Sequence, residues 1–514
     1  MSPLVFMEND VAPKVKRDPS LRAYSRLVCF VVPLLLMTVR CATFCGAARE
    51  RRARAYIEDR YGLSFYVDGL PSAPRSIRRP FYAGLREMGQ YRWNRAVSHF
   101  RAARARAEGH HSAALLSILG YCYLHTGHPA DALHSHKQSA ALAELTGDHL
   151  GRAAALRDVG RAFSHLQEDD SAAVYYRKAL ASFGEMGAFA WSASTCRRIG
   201  NLHSQATEFD SAYDYVHRAL EFDSKAGYQR GTVADLHCLG EVYIRDGQHD
   251  SAVAVLQRAY DLSLGAGFRV AAGYSLMDIG RSYFAKSERD SARAYYGMAL
   301  SMVRGKDRNC EGALQGNIGH LLANPDSALW HHREALAIFE DTRDREGVAR
   351  TLVHIAGDYL DKKMTDSALA YCRRATALYR QLGERGGVAY ALAETGRIFR
   401  ARREIDTALT YFTLAIDTAR AARDRLSLAK ALAGRGLALL FERDDTDAAL
   451  PDLLAADDIL RALGMEGHRP ATWGNIVHLP QRMGRERFIA ACLVSGRGRP
   501  EAEALFDEIT AARH

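Results

Sequence analysis

The sequence predicts an all-α solenoid of about ten antiparallel helical hairpins, and three regularities carry that prediction. Glycines recur at Gly84, Gly120, Gly160, Gly200, Gly240, Gly280, Gly319, Gly357, Gly396 and Gly436, a spacing of 40 residues or within a few of it. An alanine follows twelve residues later at Ala96, Ala132, Ala172, Ala212, Ala252, Ala292, Ala408 and Ala448, and sooner at Ala328 and Ala368 in the shortened pair. An aspartate followed by Ser or Thr stands two residues before most of these alanines, at Asp170, Asp210, Asp250, Asp290, Asp326, Asp366 and Asp406. Self-similarity at such a period is the mark of a repeat array rather than of a single core, and 514 residues exceed what one core supports.

Each element of the unit follows from these positions. A glycine on the first helix and alanines on the second are steric requirements where two helices approach closely. Seven residues beyond the first alanine comes another small residue, at Ala103, Ala179, Ala219, Ala259, Ala299, Ala335, Ala375, Ala415 and Ala455, with Ser139 breaking the series. The Asp-Ser/Thr pair reads as N-cap chemistry opening the second helix. Large side chains three after the glycine (Phe163, Tyr243, Tyr283, Phe399) and four after the alanine (Phe100, Tyr176, Tyr296, Phe412) fill the space between hairpins. The unit is therefore helix, short polar turn, helix. Stacked units bury one continuous core and leave a concave inner wall.

The glycine, aromatic and two alanine positions resemble the tetratricopeptide repeat over roughly residues 77–460. That family's usual unit has 34 residues, often with a proline near its end. About six more fall here between the second alanine and the next glycine, with no proline, which lengthens the helices by about a turn. Thr146–Gly151 and Gly383–Gly387 lie in this added stretch and mark the bends between hairpins. The long unit is similar to that of signalling scaffolds and bacterial peptide-sensing regulators. The resemblance implies a right-handed superhelix and a binding role: a non-enzymatic scaffold for a protein or peptide or, alternatively, a ligand-sensing regulator of a separate output protein. Residues 461–514, with helices expected near 485–493 and 500–513, read as a C-terminal cap, and residues 49–76 as a lead-in of unassigned structure.

No phosphate-binding loop, dinucleotide fingerprint, nucleophile elbow or HExxH zinc pair occurs, so no catalytic residue, metal ligand or cofactor is assigned. His110, His111, His125, His128, His134 and His136, with Cys122, form a histidine-rich patch, but no pair has the i, i+4 spacing of helical metal ligands. The nine cysteines show no CxxC spacing; Cys122, Cys196, Cys238, Cys310, Cys372 and Cys492 fall in helical patterns and read as buried thiols. The net charge of +9 is spread among acidic residues, and nucleic-acid binding is not expected.

The resemblance assigns the groove to first-helix positions three before, one after and five after the glycine. In the third to sixth units these are Arg157, Arg161 and His165; Arg197, Asn201 and Gln205; His237, Glu241 and Arg245; and Arg281. Residues four apart share a helix face, so the series makes a mostly cationic ladder. Arg157, Arg161, Arg197, Asn201, His237, Arg245 and Arg281 are thereby the expected contacts for an acidic segment of a protein or peptide, because guanidinium groups meet carboxylates through paired hydrogen bonds.

Residues 1–48 read differently. Lys14, Lys16, Arg17, Arg22 and Arg26 precede an apolar run over residues 27–39, the order of an export signal or short membrane anchor. Thirteen apolar residues are too few for a straight membrane-crossing helix. The segment points to the cell envelope, the reduced thiols to the cytoplasm.

Overall fold

The computed structural model describes residues 73–89, 92–465 and 469–511, which are helical throughout, with no strand among them. The signal or anchor segment, with Cys29, Cys41 and Cys45, lies outside the described residues. No described helix is long and apolar enough to cross a membrane. In chain order the hairpins are α1 (Arg75–Met88) with α2 (Trp93–Arg104), α3 (Gly109–His125) with α4 (Pro129–Leu145), α5 (His149–His165) with α6 (Asp169–Glu185), and α7 (Phe189–Gln205) with α8 (Phe209–Ala226). They continue through α9 (Gln229–Arg245) with α10 (His249–Gly265), α11 (Arg269–Ala285) with α12 (Arg289–Val303), and α13 (Arg308–Leu321) with α14 (Pro325–Thr342). The last three are α15 (Arg345–Asp361) with α16 (Thr365–Leu382), α17 (Arg385–Ala401) with α18 (Ile405–Ala421), and α19 (Arg425–Glu442) with α20 (Thr446–Ala462).

The long period comes from the helices, most of which run 17 or 18 residues, with connections of about three. A left-handed backbone residue sits in most connections, about every 20 residues: Gly127, Gly147, Gln167, Gly187, Thr207, Gly227, Gly247 and Gly267 form an unbroken series. This residue ends one helix and redirects the chain into the next. Each second helix packs on the first helix of its own hairpin and on that of the next, while from α3 to α19 successive first helices also touch one another. The first helices therefore make the inner layer.

The glycine marks the closest approach within a hairpin. A Cβ on Gly160 would stand 2.7 Å from the Tyr176 ring, one on Gly84 2.6 Å from Phe100, one on Gly280 2.6 Å from Tyr296 and one on Gly396 2.8 Å from Phe412. Val216 and Leu256 fill the same place under Gly200 and Gly240. All six of these side chains are at most 2% exposed. The alanines at both small positions are buried, with one displacement: in the last hairpin Ala448 is exposed and Ala455 only half-buried, while Ala449 and Ala456 are fully buried. The turn there, through Asp444 and Asp445, is one residue longer, so Gly436 faces Ala449 and Leu453.

The turn aspartates do not cap. Glu168, Glu208, Gln248, Glu288, Met364 and Glu404 hold the cap position without a side-chain cap bond, which puts Asp170, Asp210, Asp250, Asp290, Asp366 and Asp406 inside the first turn. The preceding residue, often left-handed, turns the chain early enough to start the helix before the aspartate. Four of the series instead bind a base closing the next hairpin's turn. Asp250 meets Lys286 at 2.9 Å and Asp326 meets Lys362 at 2.5 Å, while Asp366 meets Arg402 and Asp406 meets Arg443. Side-chain caps occur mainly on first helices, where Asp148, Asp307, Asp344 and Asp424 accept from amides three residues on.

Four further helices follow the tenth hairpin: α21 (Pro470–Ile476), α22 (Leu479–Met483), α23 (Arg485–Val494) and α24 (Arg499–Ala511). Ile476, Leu479, Phe488, Cys492, Ala502 and Ile509 share one core with Leu440, Leu450 and Leu453, so they cover the face of α20 that another hairpin would otherwise bury.

Units half the array apart also touch. Gln167 Nε2, between α5 and α6, donates to the Gly383 carbonyl at 2.9 Å. His249 Nε2 lies 3.1 Å from the Leu463 carbonyl, beside the close approach of Gly247 to Ala462–Gly464. Ala206 and Thr207 line a cavity with Arg420, Arg423 and Leu428. The turns inside early hairpins thus meet the bends between late ones.

The glycine contacts give opposite expectations for one kind of substitution. Gly160→Ala drives a methyl into the Tyr176 ring and lowers stability by about 1–3 kcal/mol. At Gly357, where a Cβ meets nothing within 4 Å, Gly357→Ala raises stability by up to about 1 kcal/mol through helix propensity. Urea unfolding of both variants reads the signs; loss of stability in both would show that the array does not pack as described.

Candidate binding channel

The predicted ladder divides into groups with different chemistry. Arg157 and Arg161 both lie on α5 and both flank Asp158. Arg157 Nη2 is 3.1 Å and Arg161 Nη2 3.5 Å from its carboxylate. Arg157 lies over the Trp191 ring at 4.9 Å and Arg161 over the Tyr121 ring at 4.6 Å. Both arginines are buried, 4% and 8% exposed, because their stems and planes pack on neighbouring helices.

Arg197 is occupied by the fold. Its Nη1 is 2.9 Å from Asp223 on α8 and also bonds Asp235 on α9, both fully buried. Burial holds the Asp235 carboxyl well above its usual range despite this cation. One guanidinium thus joins three helices, and removing it strands two buried carboxylates. Asn201, exposed, accepts from Cys238 Sγ at 3.0 Å. His237 lies 3.0 Å from Ser275 Oγ and 4.0 Å from Asp278, which also takes Arg281 at 2.9 Å. Arg245 and Glu241 are both exposed; the surrounding protein and Asp278 raise the Glu241 carboxyl.

The acids that answer these bases sit in a different register, two residues before the glycine. Asp158 with Arg161, Asp278 with Arg281 and Glu394 with Arg397 repeat the same i, i+3 pair on α5, α11 and α17, with Arg397 to Glu394 at 2.6 Å. On α7 this register holds Arg198 in place of an acid and Asn201 in place of the base. Arg198 reaches the surroundings of Arg157, Arg161, Asp158 and Tyr176; burial and then Arg161 and Arg157 lower its pKa to about 10. Among the described residues, three guanidiniums thereby gather near the Asp158 carboxylate. Nε of Arg161 and Nε of Arg198 are buried with no hydrogen-bond acceptor among the described residues. Arg198 is legible only by comparison with three units, those of Asp158, Asp278 and Glu394, that carry an acid in its register.

The histidine patch is not one site. His110 and His111 rings lie 3.9 Å apart, His125 stacks on Trp93 at 4.1 Å, and His136 is buried under Gly120 where other units place Phe or Tyr. The six internal cysteines are buried free thiols, and burial pushes that of Cys196 up to about 11.

A row of antiparallel hairpins stacked through their first helices defines an α-solenoid. The tetratricopeptide-repeat family model matches residues 111–185 and 232–305, within α3 to α6 and α9 to α12. Solved structures similar to the chain include the Rap protein complexed with competence and sporulation factor, with 14% identity, covering 66% of this chain and 98% of that one at a TM-score of 0.48. The apo form of the quorum sensor NprR from B. thuringiensis has 13% identity, the same coverages and a TM-score of 0.45. BtubC from P. vanneervenii has 18% identity, covering 42% of this chain and 92% of that one at a TM-score of 0.33. No curated protein matches the chain.

His136 makes stability depend on pH. Burial lowers its pKa from 6.5 to about 3, and both ring nitrogens lack partners. The unfolded chain therefore binds a proton below pH 6.5 that the folded chain refuses, and stability present above pH 6.5 is lost as pH falls toward 3. The slope is about 1.4 kcal/mol per pH unit. His136→Phe supplies the ring used under Gly84 and Gly396 and removes this proton, so between pH 7 and pH 5 the variant gains about 2 kcal/mol on the wild type. Parallel pH dependences in urea unfolding would contradict a neutral buried His136.

Proposed function

We propose that the protein is a non-catalytic scaffold that holds an acidic segment of a partner protein or peptide against its inner layer, centred on α5 and α7. The observation that carries this reading is the pair of buried guanidiniums of Arg161 and Arg198 beside Arg157 and Asp158, whose Nε donors lack acceptors among the described residues. A buried donor without a partner costs free energy, and a carboxylate entering this place would accept from both. The contacts proposed are therefore Arg157 and Arg161 from the ladder, joined by Arg198, with Asn201, Arg245 and Arg281 further along the inner layer; Arg197 and His237 act through the fold.

Selection of random displayed peptides on the full-length chain tests this. The enriched peptides carry Asp or Glu, and Arg161→Met or Arg198→Met weakens their binding about 10- to 100-fold, the worth of one charge-assisted hydrogen bond. Peptides without acidic residues, or unchanged affinity in both variants, would refute it. Arg197→Met lowers the melting temperature instead, having left Asp223 and Asp235 unpaired.

A second reading, a sensor whose ligand alters the superhelix and so controls a separate protein, is supported by the contacts of Gln167 with Gly383 and His249 with Leu463. These contacts break or form as the pitch changes. A change in radius of gyration by X-ray scattering on adding a selected peptide favours the sensor; an unchanged profile leaves the passive scaffold.

A further inference from the structure

Three imidazoles from three successive helices converge where the repeat is shortest. His320 lies in the last turn of α13, His332 on α14 and His354 on α15, and one nitrogen of each lies within 4.8 Å of the other two. Their ring centroids are 5.0 Å apart for His320 and His332, 4.1 Å for His320 and His354, and 5.3 Å for His332 and His354. The shortened α13, which ends two residues after its glycine, brings this about: His332 packs under Gly319, whose missing Cβ would stand 2.6 Å from its Nε2, only thirteen residues from the glycine instead of sixteen.

The protonation pattern suits metal ligation. His332 is 2% exposed, and its Nδ1 is 2.6 Å from the Asp358 carboxylate on α15. An imidazole that donates from Nδ1 to a carboxylate keeps Nε2 as a bare lone pair, the arrangement that orients and strengthens a histidine ligand. That Nε2 is buried with no partner, and so is Nδ1 of His354. His320 is exposed and gives the cluster its opening to solvent.

We propose that His320, His332 and His354 bind a divalent late first-row transition ion of the zinc class, with Asp358 as the outer partner of His332. Imidazole nitrogens select such ions over magnesium or calcium. A tetrahedral ion with bonds of about 2.0–2.1 Å holds its nitrogens about 3.4 Å apart, so side-chain movements on the order of 1 Å close the site. Three protein ligands leave a fourth position for water or for a donor group of a bound molecule. The ion would tie the hairpin of α13 and α14 to the next through α15, at the point where the repeat departs from its regular spacing.

The test uses the untagged full-length chain stripped of metal. Cobalt titration is expected to give a tetrahedral visible spectrum at one equivalent, zinc to displace it, and zinc to raise the melting temperature. His320→Ala, an exposed change whose fold is checked by circular dichroism, abolishes the cobalt spectrum; Asp358→Asn weakens zinc about 10- to 100-fold; His128→Ala changes neither. Absence of stoichiometric binding, a spectrum with thiolate bands, or one equivalent bound with unchanged affinity in both His320→Ala and His354→Ala would overturn the proposal.

Discussion

The array depends on one contact repeated along its length, a first-helix glycine against the side chain that the second helix brings beneath it. The side chain changes from unit to unit, Phe100, Tyr176, Val216, Leu256, Tyr296 and Phe412, yet each fills the volume that a Cβ on its glycine would need. Interiors packed near crystal density leave little slack for such a volume. The helix separation set there decides how the first helices line up, and hence where Arg157, Arg161 and Arg198 converge. Where the spacing to the glycine shortens, the same contact is made by His332, and the consequence is a cluster of imidazoles in place of a closed aromatic layer.

Much of this was legible before any coordinates. The glycine and alanine series give the hairpins, because close helix packing restricts residue type far more than surface contact does. In the last unit one extra residue after the glycine moves the buried positions from Ala448 and Ala455 to Ala449 and Ala456. Asp-Ser is good cap chemistry and points to the turn aspartates as caps; a left-handed residue such as Gln167 or Thr207 instead starts the helix two residues early.

The candidate site was less legible, for an electrostatic reason. A pattern of cations on one helix face does not reveal which are already neutralised by acids on other helices. Arg197 belongs to a buried triad with Asp223 and Asp235 drawn from two further helices, contacts 26 and 38 residues away in sequence. Arg198, adjacent to it, lies off the expected face and was passed over, although its register carries Asp158, Asp278 and Glu394 elsewhere. His320, His332 and His354 escaped for a related reason: they come from three helices with no ligand spacing along any one of them.

The contacts between Gln167 and Gly383 and between His249 and Leu463 alter how such a chain is held together. In an open array each unit leans only on its neighbours, so stability accumulates stepwise and either end can fray alone. Here residues separated by 216 and 214 positions touch. Loss of a late hairpin therefore withdraws support from an early one as well as from its neighbour, and unfolding becomes a more nearly all-or-none event than nearest-neighbour coupling would give. The number of units is constrained in the same way: one hairpin inserted between Gln167 and Gly383 would carry the two rims out of register, so the length of the array becomes part of its fold.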